Sequence, residues 1–468
     1  MPDLEFIFHP ESIAIVGASS NPRRVTNRFF LDPLLKLGYE GKIYPIHPTA
    51  SEISGLKVYP SIMDVPGPVD HVSCAIRAAL TPQLMHQCVD KGVKLIQIYT
   101  SGFSETGREE GIRLEREIAE IARQGSVRVL GPNCMGIYCP GSGIAYADLF
   151  SGESGNVGLL SQSGGNSVES VQLGNVRGIY FSKVVSYGNA CDINEAELLE
   201  YFTQDPQSKI ITGYIEGTRD GSRLLKALQK ATEIKPVIML KGGTTEAGTN
   251  AAASHTGALA GSNIIWESLF RQLGVMQARD LEELIDLALL FQHFKPVRGR
   301  KLGLVGSGGG ASVLITDSCE RERLIIPSFP EEIRRKLREI VPEELDPGTI
   351  VRNPVDFSTT WVRPGVFPAL LETMSKYDGI DFILIYLGLF PDGDEVETRV
   401  IDSIIETKRN LSKPIVMVLR YNHAPQVGKL ALDLQKRCAG ARIPVFSSFD
   451  RATRAINRFA RYYEERQS

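Results

Sequence analysis

The sequence is short of cysteine and histidine and carries almost no excess charge, and each shortage closes a class of function. Seven cysteines (Cys74, Cys88, Cys134, Cys139, Cys191, Cys319 and Cys438) are spread over 468 residues. The tightest pair, Cys134 and Cys139, fits no zinc spacing, so no metal site is expected and the thiols read as reduced. Basic and acidic residues number 52 and 55, a formal net charge of −3. That balance gives no basic field for nucleic acid. An anionic ligand would need a local seat, such as the free N–H groups at a helix start. No apolar run reaches the ~18 residues of a membrane helix. The opening MPDLEFIFHPES lacks the basic start and apolar core of a secretory leader. A cytoplasmic chain without membrane contact is expected.

What is present is alternation. At roughly 150 residues per domain, the length allows about three domains. In the N-terminal third, SIAIVGASS, KIYPIHP, HVSCAI, KLIQIYTSGF and VRVLGPN read as strands. LDPLLKLG, TPQLMHQCVDKG and EGIRLEREIAEIARQG have helical spacing with glycine stops. The fold class is therefore α/β, with parallel sheets whose ligands bind at the carboxyl ends of strands.

The remaining two thirds repeat themselves. VGLLSQSGGNSVE (157–169) resembles LGLVGSGGGASVL (302–314), YIEGTRDG (214–221) lines up with YLGLFPDG (386–393), and KPVIML (235–240) with KPIVMV (413–418). A duplicated α/β domain is expected, with a boundary in FKPVRGRK (294–301). The duplication is an internal control. A feature in both copies is architecture, whereas one in a single copy is a candidate for chemistry.

Four stretches stand out. VGASSNP (16–22) is a strand–helix turn that could seat a phosphate on backbone N–H groups or could be a turn and nothing more. It has one glycine, Gly17, of the three in a dinucleotide fingerprint, and IYPIHPTA offers no acidic residue for a ribose, which weighs against NAD. SQSGGNS (161–167) follows a strand and should open a helix. Ser161, Ser163, Gly164 and Gly165 could hold an oxyanion there, although SGGG in the other copy allows a structural turn. SHTG places His255 among small residues and has no counterpart in the second copy. A histidine on such a segment beside an anion site suits nucleophilic attack on phosphorus, and ligand spacing for a metal is absent. Glu216 ends a strand, where the second copy has Gly388. Its carboxylate could fix an imidazole tautomer or could be a surface charge.

Read together, SIAIVGAS, GKIYPIHP, SGFSETG, VLGPNCMGI, SQSGG, QDP, YIEG, KPVIMLKGG, ASHTGALAGS and NPVDF resemble, in order and over nearly the whole chain, the NDP-forming acyl-CoA synthetases. The likeness is to their α subunit, and this family is related to succinyl-CoA synthetase. The resemblance implies a Rossmann-like CoA-binding domain over 1–145 and two flavodoxin-like CoA-ligase domains over 152–296 and 299–468. It implies reversible conversion of acid, CoA and ATP to acyl-CoA, ADP and phosphate through an acyl phosphate and a phosphohistidine. His255 would carry the phosphoryl group, Glu216 would be its partner, and Ser161, Ser163, Gly164 and Gly165 would hold phosphate. Coenzyme A would lie on Gly17, Ala18, Ser19, Ser20 and Arg23, with Thr100, Ser101, Gly102, Phe103 and Asn133 nearby. Cys134 would be a packing residue. No ATP-grasp domain is found, so ATP/ADP and Mg2+ are expected on a separate β subunit. Gly165 replaces the usual alanine, IHPTA brings His47, and AIRAA (75–79) brings Arg77. These departures bear on acyl and CoA recognition. The rival expectations are a CoA sensor without turnover and a dehydrogenase.

Overall fold

The run SIAIV forms the strand Ser12–Val16 with all five residues buried. Burial on both faces is what a parallel sheet flanked by helices imposes. The computed structural model of the protein describes residues 4–21, 23–249, 262–306, 308–341, 352–356, 365–389, 394–421 and 425–466. Two compact units are present, one of 1–175 with 180–284 and one of 176–179 with 285–468.

The first unit carries two sheets. One runs Lys42–Ile46, Ser12–Val16, His71–Cys74, Leu95–Ile98, Arg128–Leu130, all parallel. Its strand order reverses between Ser12–Val16 and His71–Cys74, which opens a crevice at their carboxyl ends. The helix Glu109–Gly125 shows how pattern becomes packing. Leu114, Ile118 and Ala122 fall four residues apart and are buried, and Ser126 closes the helix in the left-handed region at φ 58°.

The second sheet runs Met276–Ala278, Val237–Lys241, Ile210–Ile215, Val157–Ser161, Phe181–Ser186, Gly136–Tyr138. The last strand is antiparallel to its neighbour. The other five strands are parallel, as the sequence pattern implies. The chain turns back on itself between sheets through positive φ at Gly131, Asn133 and Gly136. A three-residue strand is too short to carry a periodic signal.

The second unit holds a sheet ordered Val355–Asp356, Leu302–Gly306, Phe382–Leu389, Ile415–Tyr421, Val445–Phe446. It repeats the parallel part of the second sheet, register for register. Leu159 pairs with Thr212 as Leu304 pairs with Leu384, and Tyr214 pairs with Leu240 as Tyr386 pairs with Val418. The repeat read from the sequence is thus a repeat in topology, and it aligns Glu216 with Gly388 and Ser186 with Asp356.

Candidate active site

The carboxyl edge of the first sheet gathers the residues expected at coenzyme A. Gly17 has φ 95°, and a Cβ there would lie 2.9 Å from the Ala75 carbonyl oxygen, so only glycine lets the two strand ends approach. Ala75 N–H donates to Val16, the Thr100 hydroxyl donates to the Ile76 carbonyl at 2.6 Å, and Asn133 N–H donates to Thr100. These bonds line up the three loops. Ala18 is buried, Ser19 is half-buried, and Ser20, Arg23 and Arg77 are exposed along the same edge.

Several amides in these loops are already occupied. Ser19 N–H donates to Asn27 Oδ1 at 3.0 Å, and Asn27 Nδ2 returns a bond to the Ser19 carbonyl. Gly102 and Phe103 N–H both donate to the Glu105 carboxylate. Those two amides of the Thr100–Phe103 turn are therefore held by its own acid. His47 Nδ1 accepts from Thr49 and Ala50 N–H, so that ring closes a turn at the adjacent strand end. Cys134 is buried, which pushes its thiol up and keeps it protonated.

A buried polar seam joins this edge to the second sheet. Asn189, Cys191 and Ile193 N–H donate to the carbonyls of Pro132, Gly131 and Val129. Asn189 Nδ2 bridges Glu105 and Glu115 at 2.6 and 2.8 Å, and Arg219 pairs with Glu115 at 2.6 Å. Arg219 lies three residues after Glu216, so the seam ends beside the second sheet's own switch point, between Val157–Ser161 and Ile210–Ile215.

At that switch point the helix Gly164–Val176 begins. Ser163 Oγ accepts from Asn166 N–H at 3.3 Å, in the manner of an N-cap, and the buried Ser161 hydroxyl donates to the Ser163 carbonyl at 2.7 Å. Ser161 thus shapes the turn, while the first amides, Gly164 and Gly165, have no acceptor within the helix. Glu216 stands opposite, with only 6% of its surface exposed. Its Oε1 accepts from the Tyr214 phenol at 3.0 Å, and its N–H and that of Gly217 donate to Gln162 Oε1 at 2.8 and 3.2 Å. Oε2 is buried and has no partner among the described residues. Lys241 ends the next strand, its ammonium bonded to the Gly242 carbonyl and 5.4 Å from the Trp266 ring centre. Burial pushes this ammonium below its usual range, with the Glu216 carboxylate opposing.

In the duplicate module a carboxylate of the chain reaches the matching turn. Gly308 N–H donates to Asp356 Oδ1 at 3.0 Å, so a carboxylate of the chain itself caps the turn before the helix Gly309–Arg321. In the first module that position is Ser186, whose hydroxyl instead accepts Met135 N–H at 3.1 Å. The turn of one module is self-capped by an acid and that of the other is not. His255 lies outside the described residues, as does His423 of the second copy. Gln162, Glu105, Asn189, Tyr214 and Lys241 escaped the sequence reading. For Gln162 a signal existed, since the second copy has Ser307 there.

The chain thus offers a crevice at the switch point of one sheet and a helix start facing a buried carboxylate at that of the next. A model described as a CoA binding domain matches residues 11–140, and one described as a succinyl-CoA ligase like flavodoxin domain matches 154–291. The chain is 38% identical over 433 residues to the α subunit of an ADP-forming acetate–CoA ligase II of Pyrococcus furiosus, covering 92% of this chain and 93% of that one. It is 32% identical over 463 residues to an ADP-forming acetate–CoA ligase I of Archaeoglobus fulgidus, covering 98% of this chain and 64% of that one. Among solved structures it resembles the dinucleotide-forming acetyl-coenzyme A synthetase 1 of Ca. Korarchaeum cryptofilum in complex with phosphate and ADP. There the TM-score is 0.85, with 32% identity over 100% of this chain and 98% of that one. The chain belongs to the ADP-forming acyl-CoA synthetase family and corresponds to its α subunit. Among the described residues, no helix is long and apolar enough to cross a membrane.

Proposed function

We propose that the protein is the α subunit of a cytoplasmic ADP-forming acyl-CoA synthetase working through a phosphohistidine at His255. In the ATP-forming direction, a phosphate oxygen attacks the thioester carbonyl, the C–S bond breaks, and coenzyme A leaves as the thiol. A nitrogen of His255 then attacks phosphorus of the acyl phosphate and expels the carboxylate of the free acid. Phosphohistidine passes its phosphoryl group to ADP. Coenzyme A occupies the crevice at Gly17–Ser20 with Arg23, and the Thr100–Phe103 turn and Asn133 form its wall.

One observation carries the reading: Glu216 Oε2, buried and without a partner among the described residues. An unpaired buried acceptor is costly, and an imidazole N–H is a donor that would satisfy it, orienting the ring and stabilising its charge. The amides of Gly164 and Gly165, without an acceptor among the described residues, and Ser161 and Ser163, which shape the turn, suit the phosphoryl oxygens. Phosphoryl transfer asks the protein for positioning and charge stabilisation, which is what these groups supply. ADP and Mg2+ belong on an ATP-grasp β subunit, and the isolated chain does not turn over ATP. A CoA sensor would not need Glu216, and nothing at the site favours one.

The test is acyl-CoA formation from ATP, coenzyme A and a panel of carboxylic acids, with a candidate ATP-grasp partner added. Thioester should form with at least one acid and disappear in His255→Ala. Unchanged thioester formation by that variant would remove the histidine from the mechanism.

A further inference from the structure

The two oxygens of the Glu216 carboxylate are not equivalent. One is engaged by the Tyr214 phenol at 3.0 Å, and the other is buried without a partner among the described residues. The side chain of Asn166, in the first turn of the helix that opens at Gly164, interacts with the same phenol. The backbone is held as well, since Gln162 accepts from two successive amides, those of Glu216 and Gly217.

The duplicate separates architecture from chemistry here. Tyr386 stands at the register position of Tyr214, so a tyrosine at this point belongs to the fold. Its surroundings differ. The positions of Glu216, Gln162 and Asn166 are Gly388, Ser307 and Ala311 in the second module. In the first module the phenol has acquired a carboxylate to donate to, and the turn has acquired a side chain that fixes that carboxylate's backbone.

We propose that Tyr214 and Gln162 are positioning residues that make Oε2 the one oxygen of Glu216 available to the phosphoryl-carrying histidine. The proposal rests on the phosphohistidine reading above. A carboxylate free to rotate about its last torsion would share its acceptor strength between two directions. With Oε1 bonded to a phenol and the backbone held by a carboxamide, one direction remains. Among the described residues, the Tyr187 phenol and the Lys241 ammonium also interact with Glu216.

The experiment uses the full chain with Tyr214→Phe, Gln162→Ala and Glu216→Gln, each checked by thermal melting. Phosphorylation of His255 from phosphate and acyl-CoA is followed by intact mass. A bond to a charged acceptor lost from the transition state predicts a fall of about ten- to hundred-fold in the Tyr214→Phe rate. The KM for acyl-CoA should be unchanged. The Gln162→Ala rate should fall too, again at an unchanged KM. A Tyr214→Phe protein with the wild-type rate, while Glu216→Gln is inactive, overturns the proposal. The infrared carboxylate stretch of Glu216, read as a difference against Glu216→Gln, decides the matter independently of turnover. A shifted stretch in Tyr214→Phe, from loss of the phenol bond to one oxygen, supports the proposal even if no phosphohistidine forms, in which case the functional reading alone has failed. An unmoved stretch overturns the positioning role.

Discussion

Gln162 Oε1 lies 2.8 Å from the backbone nitrogen of Glu216, and it accepts the Gly217 amide as well. One side chain thereby ties the loop after Val157–Ser161 to the loop after Ile210–Ile215. Removing it in Gln162→Ala leaves buried N–H groups unpaired, which should lower stability by about 1–3 kcal/mol. Urea unfolding of the two proteins, compared at constant m-value, measures it.

Gly17→Ala should fail at the first sheet. The residue sits at φ 95°, and the new methyl would be 2.9 Å from the Ala75 carbonyl oxygen. Strain of about 1–3 kcal/mol follows for a non-glycine residue in such a position. The loop must move to relieve it, so calorimetry should show coenzyme A affinity reduced by about ten-fold or more, one factor of ten for each 1.4 kcal/mol.

Gly165→Ala should be accepted. Its Cβ would meet only Ser163 Oγ, at 4.0 Å, and the residue is exposed. Alanine in place of a helical glycine should raise stability by up to about 1 kcal/mol. Melting curves and the phosphorylation rate check both halves of the statement, since the seat uses the backbone amide that alanine keeps.

His71 gives the first sheet an acid sensitivity. Burial lowers its imidazole to about 4, with Gln97 and Asp70 opposing. Because the folded state binds the proton less readily than the unfolded chain, stability falls as pH drops below the ordinary value of about 6.5. The loss from this group between pH 7 and pH 4.5 should be about 2.5 kcal/mol, since each factor of ten in proton affinity is worth about 1.36 kcal/mol. His71→Leu should lack that increment, visible as a difference in slope between the two stability–pH curves.

Much of this was legible beforehand because alternation of apolar runs with amphipathic ones is a strong signal. The strands Ser12–Val16, Val157–Ser161 and Ile210–Ile215 and the helix starting at Gly164 stand where SIAIVG, VGLLSQSGG and YIEG place them. The repeat was readable too, since corresponding registers demand corresponding apolar positions. Side-chain partners were not. Nothing in local sequence tells that Glu105 occupies the amides of Gly102 and Phe103, or that Asn189, 84 residues away, bridges to it. The antiparallel edge strand Gly136–Tyr138 escaped because three residues carry no period. The self-capping of the duplicate by Asp356 was hidden for the same reason as the seam, since it depends on which strand ends become neighbours.

The proposed function turns on a phosphoryl group carried by His255. Intact mass after incubation with phosphate and a panel of acyl-CoAs, with and without an ATP-grasp partner, reads it most directly. The protein should gain one phosphate with at least one thioester, acid-labile and absent from His255→Ala. A partner-bound protein that no thioester labels, or a label that survives in His255→Ala, would contradict it.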